Sequence, residues 1–138
     1  QEHGVKPELE CFDTGAFDAI HIIRDGIFWT DEGVMEEEKD LLEDPLWATF
    51  FFGWPGQSCQ PMTDVALFNQ IYHKPDRLNW SMSCMSRSSK EYWTQINRGI
   101  LQNGHVRIGY EDCGKHPDGS YAASCADMVG RTGGTTPT

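Results

Sequence analysis

The sequence predicts a mostly β fold, built from short antiparallel units with one short helix and bonded by disulfides. Three observations lead to this expectation. Short runs rich in β-branched and aromatic residues alternate with turn residues along most of the chain. Only residues 34–48 are rich in helix formers. Five cysteines occur without a C-x-x-C pair or a histidine at zinc-ligand spacing, which favours disulfides over a zinc site.

The first candidate elements are a hairpin and a helix. Residues 16–23 and 26–30 read as two strands, since Asp25-Gly26 between them supplies turn chemistry. Residues 34–48 then form the predicted helix, with Pro45 as its stop signal. The remaining candidate strands, chosen for apolar and aromatic content, are residues 63–72, 78–85, 91–96, 106–110 and 120–124.

Length and composition predict one domain. A chain of 138 residues with 38% apolar content supports a single modest core. We expect an N-terminal extension at residues 1–10, one β-rich domain at 11–128 and a flexible Gly/Thr/Pro tail at 129–138.

The charge distribution and hydropathy exclude two kinds of partner. Residues 1–44 hold fourteen acidic and three basic residues, against seven and eight in residues 45–138. Because no basic face is visible in a chain of net charge −10, a nucleic-acid partner is not expected. No run of apolar residues is long enough to predict a membrane span.

Two features at the sequence level indicate a secreted, extracellular protein. The chain begins at Gln1, as after removal of a signal peptide, and Asn79-Trp80-Ser81 is its one N-x-S/T triplet. We therefore expect an N-linked glycan on Asn79. In an oxidising compartment the five cysteines would form two disulfides, of unspecified pairing, and leave one thiol for another chain; they are Cys11, Cys59, Cys84, Cys113 and Cys125.

An imperfect repeat runs through the first two thirds of the chain. Phe17-Asp18-Ala19-Ile20 is echoed by Asp64-Val65-Ala66-Leu67, with the two aspartates 46 residues apart. Cys11 precedes the first copy, and Trp54-Pro55 lies between the copies. In order and spacing, residues 11–99 resemble hemopexin-like (pexin) repeats, the blades of a small β-propeller found in secreted proteins.

The resemblance implies both an ion site and assembly. Pexin propellers often hold an ion near the aspartate that opens a blade, which implies a structural calcium ion at Asp18 and Asp64. The alternative is that these aspartates cap hairpins. Because 138 residues are too few for four blades, open sheet edges would have to pair with other chains, giving a homo- or hetero-oligomer or polymer.

No pattern of an enzyme active site is visible. The five histidines are scattered, and neither a nucleophile elbow nor a phosphate loop occurs. The sequence therefore predicts a non-enzymatic extracellular binding or structural module. The main alternative is a carbohydrate-binding, lectin-like module using Trp54, which lies in a Gly-Trp-Pro-Gly turn and is expected to be exposed. A secreted hydrolase is the third reading.

Overall fold

The structure, a computed structural model, describes residues 5–25, 27–30, 33–36, 45–57 and 78–133. Six strands and three helices lie within these ranges. In chain order they are β1 (Glu8–Cys11), α1 (Thr14–Asp25), β2 (Ile27–Thr30), β3 (Gly33–Glu36), β4 (Leu46–Phe52), β5 (Leu78–Cys84), α2 (Ser89–Leu101), β6 (His105–Val106) and α3 (Cys125–Gly133).

Four of these strands form one parallel sheet. Their order is β1-β4-β5-β6, so each strand is added beside the one that precedes it in this sheet. Strands β2 and β3 form a separate antiparallel pair. Because all four sheet strands run the same way, their carboxyl ends share one edge. Loops that follow the strands are therefore brought together there.

The two faces of the sheet differ in chemistry. Successive side chains of a strand point to opposite faces, and in β4 they divide into an apolar set, Ala48, Phe50 and Phe52, and a second set that includes Thr49 and Phe51. The apolar set joins a buried cluster with alternate residues of β5 and with α2, including Trp80, Met82, Cys84, Tyr92 and Ile96. Both sets in β4 are buried, as is usual in a parallel sheet.

Helix α2 begins at a capped N-terminus and packs on this cluster. The Ser88 hydroxyl accepts a hydrogen bond from the Glu91 amide at 3.3 Å. Tyr92, Ile96 and Gly99, spaced four and three residues apart, are buried. The prediction of a strand at 91–96 is therefore wrong, because its apolar residues follow the period of a helix.

Of the other predicted elements, some are confirmed and some are wrong. The predicted strand at 16–23 is wrong, because these residues lie inside helix α1. The predicted helix at 34–48 is wrong at both ends, where strands β3 and β4 lie. Its middle, residues 37–44, is outside the described ranges. The strands at 27–30 and 78–84 are confirmed. Near the C-terminus, β6 ends at Val106, and the predicted strand at 120–124 has only an isolated bridge from Tyr121 to Lys115. The predicted strand at 63–72 lies outside the described residues.

The expected fold class is wrong. The main sheet is parallel and alternates with helices, so it is an α/β fold and not a set of antiparallel propeller blades. Aromatic runs such as residues 50–52 indicated strands, but they do not encode which strand is the neighbour or its direction. The four described cysteines, Cys11, Cys84, Cys113 and Cys125, are free thiols, so a disulfide-bonded core is also contradicted there, while Cys59 lies outside the described residues.

Two further features concern the helices. Helix α3 continues through residue 133, past the point where the flexible tail was expected to begin. Within the described ranges, no helix combines the length and apolar character needed to cross a membrane.

Candidate active site at the carboxyl edge of the sheet

The carboxyl ends of the parallel strands gather the polar and aromatic residues of interest. Phe12 follows β1, Trp54 follows β4, and Ser86 follows β5. Arg107 comes directly after β6. In open or closed parallel α/β sheets, ligands bind at this edge. It is therefore the first place to look for a functional site.

Arg107 is the centre of a charged cluster at this edge. Its Nη1 lies 3.4 Å from Ser83 Oγ and 3.4 Å from Asp112 Oδ1. Its Nη2 donates to Glu111 Oε1. The guanidinium carbon lies 5.3 Å from the centroid of the Phe51 ring. One cation thus links the end of β5 to the two acidic residues that follow β6.

Asp112 is a buried carboxylate with an altered acidity. Its side chain is 1% exposed, and within the described part of the chain its Oδ2 has no hydrogen-bond partner. Burial raises the pKa of Asp112 to about 6; Arg107 opposes this shift, and Glu111 adds to it. Asp112 is therefore mainly ionised at neutral pH, but it is a stronger base than an exposed aspartate.

Backbone hydrogen bonds fix the position of this carboxylate. The amide of Arg107 donates to the Met82 carbonyl at 2.9 Å, which holds the segment after β6 against β5. The chain then turns, with the Asp112 amide donating to the Gly109 carbonyl at 3.1 Å. The Ser86 amide donates to the Asp112 carbonyl at 3.3 Å. Two consecutive strands therefore hold Asp112 from both sides.

Three aromatic rings form a wall beside the cluster. Phe12 and Phe51 stack with their ring centroids 4.6 Å apart and 13° between their planes. Trp54 meets both rings edge-on, at 6.1 Å from Phe12 and 5.6 Å from Phe51. This wall makes the surroundings of Arg107 less polar, which strengthens its interaction with anions.

A buried polar row lies one layer deeper on the same side of the sheet. Thr49 Oγ1 donates to Glu8 Oε1 and lies 2.5 Å from Ser81 Oγ. Ser81 and Ser83 are two residues apart in β5, so both side chains point to the face that carries Thr49. The polar face of the sheet thus continues from its middle to the charged cluster.

Neither the nearby thiol nor the nearby phenol suits acid–base work at neutral pH. Burial, followed by the charge of Asp112, raises the pKa of the Cys84 thiol to about 12. Burial, with the same aspartate, also raises the pKa of Tyr92, whose hydroxyl has no partner within the described ranges. Of these three groups, Asp112 is the one whose shifted pKa suits acid–base work near neutral pH.

The structure describes one of the two aspartates that the sequence singled out as an ion site. Asp18 is exposed on α1, not at a hairpin, and Asp64 lies outside the described residues. The propeller channel that implied a calcium ion at these two positions is not part of this fold. Among the described residues, no group of three or more His, Cys, Asp or Glu side chains is placed to hold a metal.

Trp54 lies at the carboxyl edge, but it is half-buried against Phe12 and Phe51 instead of standing free in its turn. Asn79 is exposed on β5. Glycosylation of Asn79, an extracellular location, and partnership with further chains or carbohydrate stay predictions, as does the absence of a nucleic-acid partner.

Sequence reasoning missed the three residues that define the site, Arg107, Glu111 and Asp112. The signal was present in His105-Val106-Arg107-Ile108-Gly109-Tyr110-Glu111-Asp112, where a short apolar segment is followed by opposite charges at close spacing. What the sequence does not show is that Asp112 is buried and that Ser83 lies beside it.

Together the fold and the site define an α/β domain: a parallel sheet of sequential strands, as in (β/α)₈ barrels, with an Arg–Asp cluster at its carboxyl edge. Comparison with known proteins agrees. A family described as β-keto acid cleavage enzymes (BKACE) matches residues 1–136, and the chain belongs to this family.

Three characterised relatives are similar to most of this chain. A 3-keto-5-aminohexanoate cleavage enzyme of Fusobacterium nucleatum is 25% identical over 130 residues, which are 94% of this chain and 40% of the relative. The enzyme of that name from Acetoanaerobium sticklandii is 28% identical over 130 residues, 93% of this chain and 40% of the relative. A 3-dehydrocarnitine:acetyl-CoA trimethylamine transferase of Rhizobium meliloti is 33% identical over 112 residues, which are 79% of this chain and 30% of the relative. The chain thus spans 30–40% of the length of these relatives.

Family membership corrects three sequence predictions. The prediction of hemopexin-like repeats is wrong, because the family model that matches nearly the whole chain describes an enzyme family. The interpretation as an extracellular structural or sugar-binding module is overturned on the same ground, and so is the expectation of a non-enzyme. The Phe17-Asp18-Ala19-Ile20 motif that carried the resemblance belongs to helix α1.

Proposed function

We propose that this chain contributes to the active site of an enzyme that cleaves a β-keto acid, with Asp112 as general base and Arg107 as the group that binds the substrate carboxylate. One observation carries this proposal: a buried carboxylate, one oxygen of which has no hydrogen-bond partner among the described residues, lies 3.4 Å from a guanidinium at the carboxyl edge of the sheet. Membership of the β-keto acid cleavage family supports the substrate class.

The acidity of Asp112 suits removal of a proton from carbon. In a β-keto acid, C2 lies between the carboxylate and the keto group, so its proton is the most acidic C–H of the molecule. Asp112 Oδ2 takes this proton, and the electron pair left on C2 is delocalised onto the keto oxygen. A base works best when its pKa lies near the working pH. Burial moves Asp112 in that direction.

Arg107 has capacity left for a ligand. A guanidinium has five N–H donors in a planar fork, and the described residues that accept from Arg107 are Ser83, Glu111 and Asp112. The remaining donors suit a carboxylate or the oxygen on which negative charge develops. Because the Phe51 ring packs against the guanidinium, the cation is held in a partly dry position.

The second substrate in this proposal is an acyl-CoA thioester. The name of the Rhizobium meliloti relative includes acetyl-CoA as a reactant. The C2 carbanion attacks the thioester carbonyl and displaces the coenzyme A thiolate. Addition of that thiolate to the C3 keto carbon then breaks the C2–C3 bond, which gives a new acyl-CoA and leaves a carbanion on C2 that takes the proton back from Asp112. We therefore place acetyl-CoA among the substrates of this protein.

The test is a substrate assay with matched aspartate variants. The purified protein is incubated with acetyl-CoA and either 3-keto-5-aminohexanoate or 3-dehydrocarnitine, and the new acyl-CoA is measured. We expect turnover of a β-keto acid, a loss of about 10²–10⁴-fold in kcat for Asp112→Asn, and no change for the control Asp18→Asn, whose side chain is exposed on α1. Equal activities of the two variants, or no turnover of either keto acid, would contradict the proposal.

A further inference from the structure

A cavity opens beside Asp112. Its volume is about 350 Å³, and it is lined by Ser86, Arg87, Cys113, Gly114, Lys115 and Tyr121. It lies between the end of β5 and the loop that follows β6. The Ser86 amide donates to the Asp112 carbonyl, and Cys113 is the next residue after Asp112, so this cavity borders the proposed reaction site.

The lining of this cavity is cationic. Arg87 and Lys115 both face it, and no carboxylate of the described ranges forms an ion pair with either residue. The Glu91 carboxylate, on the first turn of α2, accepts a hydrogen bond from Ser86 Oγ at 3.0 Å. Lys115 Nζ is held 5.1 Å from the centroid of the Tyr121 ring.

Two cations thus line one cavity in a chain whose net charge is −10. A surface that is acidic overall repels polyanions, while a local pair of cations attracts a compact anion. The cavity, of about 350 Å³, has room for a phosphate or diphosphate group beside the two cations. In the proposed reaction, the carboxylate of the keto acid is already assigned to Arg107.

We propose that the cavity between Arg87 and Lys115 binds a phosphate group of the coenzyme A thioester, with the thioester end directed to Asp112. This inference rests on the proposed function for its ligand. It adds the residues that hold the nucleotide end of the second substrate. Charge-assisted hydrogen bonds from Arg and Lys are the usual means of binding phosphate in proteins.

The experiment measures binding, so it does not depend on turnover. Dissociation constants of coenzyme A, dephospho-coenzyme A and pantetheine are measured by calorimetry for the wild-type protein and for Arg87→Gln, Lys115→Gln and Lys90→Gln. Lys90 is exposed on α2, three residues from Arg87, and does not line the cavity, so it controls for the loss of one charge. We expect about tenfold weaker binding of coenzyme A for each cavity variant, and unchanged binding for Lys90→Gln.

The three ligands decide which phosphate is bound. If the cavity variants also weaken dephospho-coenzyme A, the diphosphate occupies the cavity; if they weaken coenzyme A alone, its 3′-phosphate does. Unchanged binding of coenzyme A to both cavity variants, or equal affinity of the wild type for coenzyme A and pantetheine, would overturn the inference. A protein that binds coenzyme A in this way but cleaves no β-keto acid would leave the inference intact and contradict the proposed function.

Discussion

Arg107 Nη1 lies 3.4 Å from Asp112 Oδ1, and yet the pKa of Asp112 is raised to about 6. The desolvation of a nearly fully buried carboxylate therefore outweighs the attraction of the neighbouring guanidinium, and Glu111, which shares that guanidinium, contributes to the imbalance.

Asp112 makes the stability of the protein depend on pH in an unusual direction. Its pKa is 3.8 in an unfolded chain and about 6 in the folded one, so the folded state binds more protons between these values. The free energy of unfolding therefore falls by roughly 3 kcal/mol as the pH rises from about 4 to 6. Urea unfolding at several pH values should show that Asp112→Asn removes this loss. A constant difference between wild type and variant over this range would refute the assignment.

Removal of the cation should raise the pKa of Asp112 further. In Arg107→Gln, burial and Glu111 act without the opposing charge, so the acidic limb of the activity profile moves to higher pH. The measurement is the pH dependence of kcat/KM. Arg131→Gln, on exposed helix α3, is the control and should leave the midpoint in place. If the midpoint of the kcat/KM profile is unchanged in Arg107→Gln, Arg107 does not lower the pKa of the catalytic group.

Gly104 allows the Trp80 ring to pack against the chain just before β6. A Cβ at residue 104 would lie 2.5 Å from two atoms of that ring. We expect Gly104→Ala to lower the free energy of unfolding by about 2 kcal/mol, measured by urea denaturation. In Gly130→Ala, on α3, the new Cβ meets no atom within 4 Å, so stability rises by a few tenths of a kcal/mol. Equal effects of the two changes would contradict the packing described.

The described cysteines should differ sharply in reactivity. Cys125 is exposed, whereas Cys11, Cys84 and Cys113 are buried. Burial raises the pKa of the Cys11 and Cys84 thiols to about 12, which removes nearly all thiolate at neutral pH. After brief treatment with iodoacetamide, peptide mapping should find Cys125 labelled first and Cys11 and Cys84 labelled only on unfolding. Rapid labelling of Cys84, or a disulfide at any of these four positions, would count against this fold.

Local pattern revealed some elements and misassigned others. Strand β5 was predicted because large apolar and small polar residues alternate from Leu78 to Cys84. Helix α2 was missed because Tyr92 and Trp93 favour strands by composition, although the buried positions follow a helical period. The direction of β4 beside β5 depends on contacts between distant residues, which no local pattern encodes.

The site was harder to predict than the strands. Sequence reasoning gave weight to cysteines, to repeated aspartates and to an aromatic turn. Among the described residues of these groups, Cys11, Cys84 and Trp54 lie at the carboxyl edge, but none of them belongs to the charged cluster around Arg107. Asp112 matters because it is buried beside Ser83 and Arg107, and that burial arises only when β5 and β6 pair. A carboxylate in sequence carries no sign of its depth in the fold.

If Asp112 is the base, its ionisation controls the rate of β-keto acid cleavage, and the pH dependence of kcat/KM measures that ionisation. We expect kcat/KM to rise with pH to a plateau, with a midpoint near the Asp112 pKa of about 6, since only the carboxylate accepts a proton. A value of kcat/KM that does not change with pH through this region, or full activity in Asp112→Asn, would exclude Asp112 as the base.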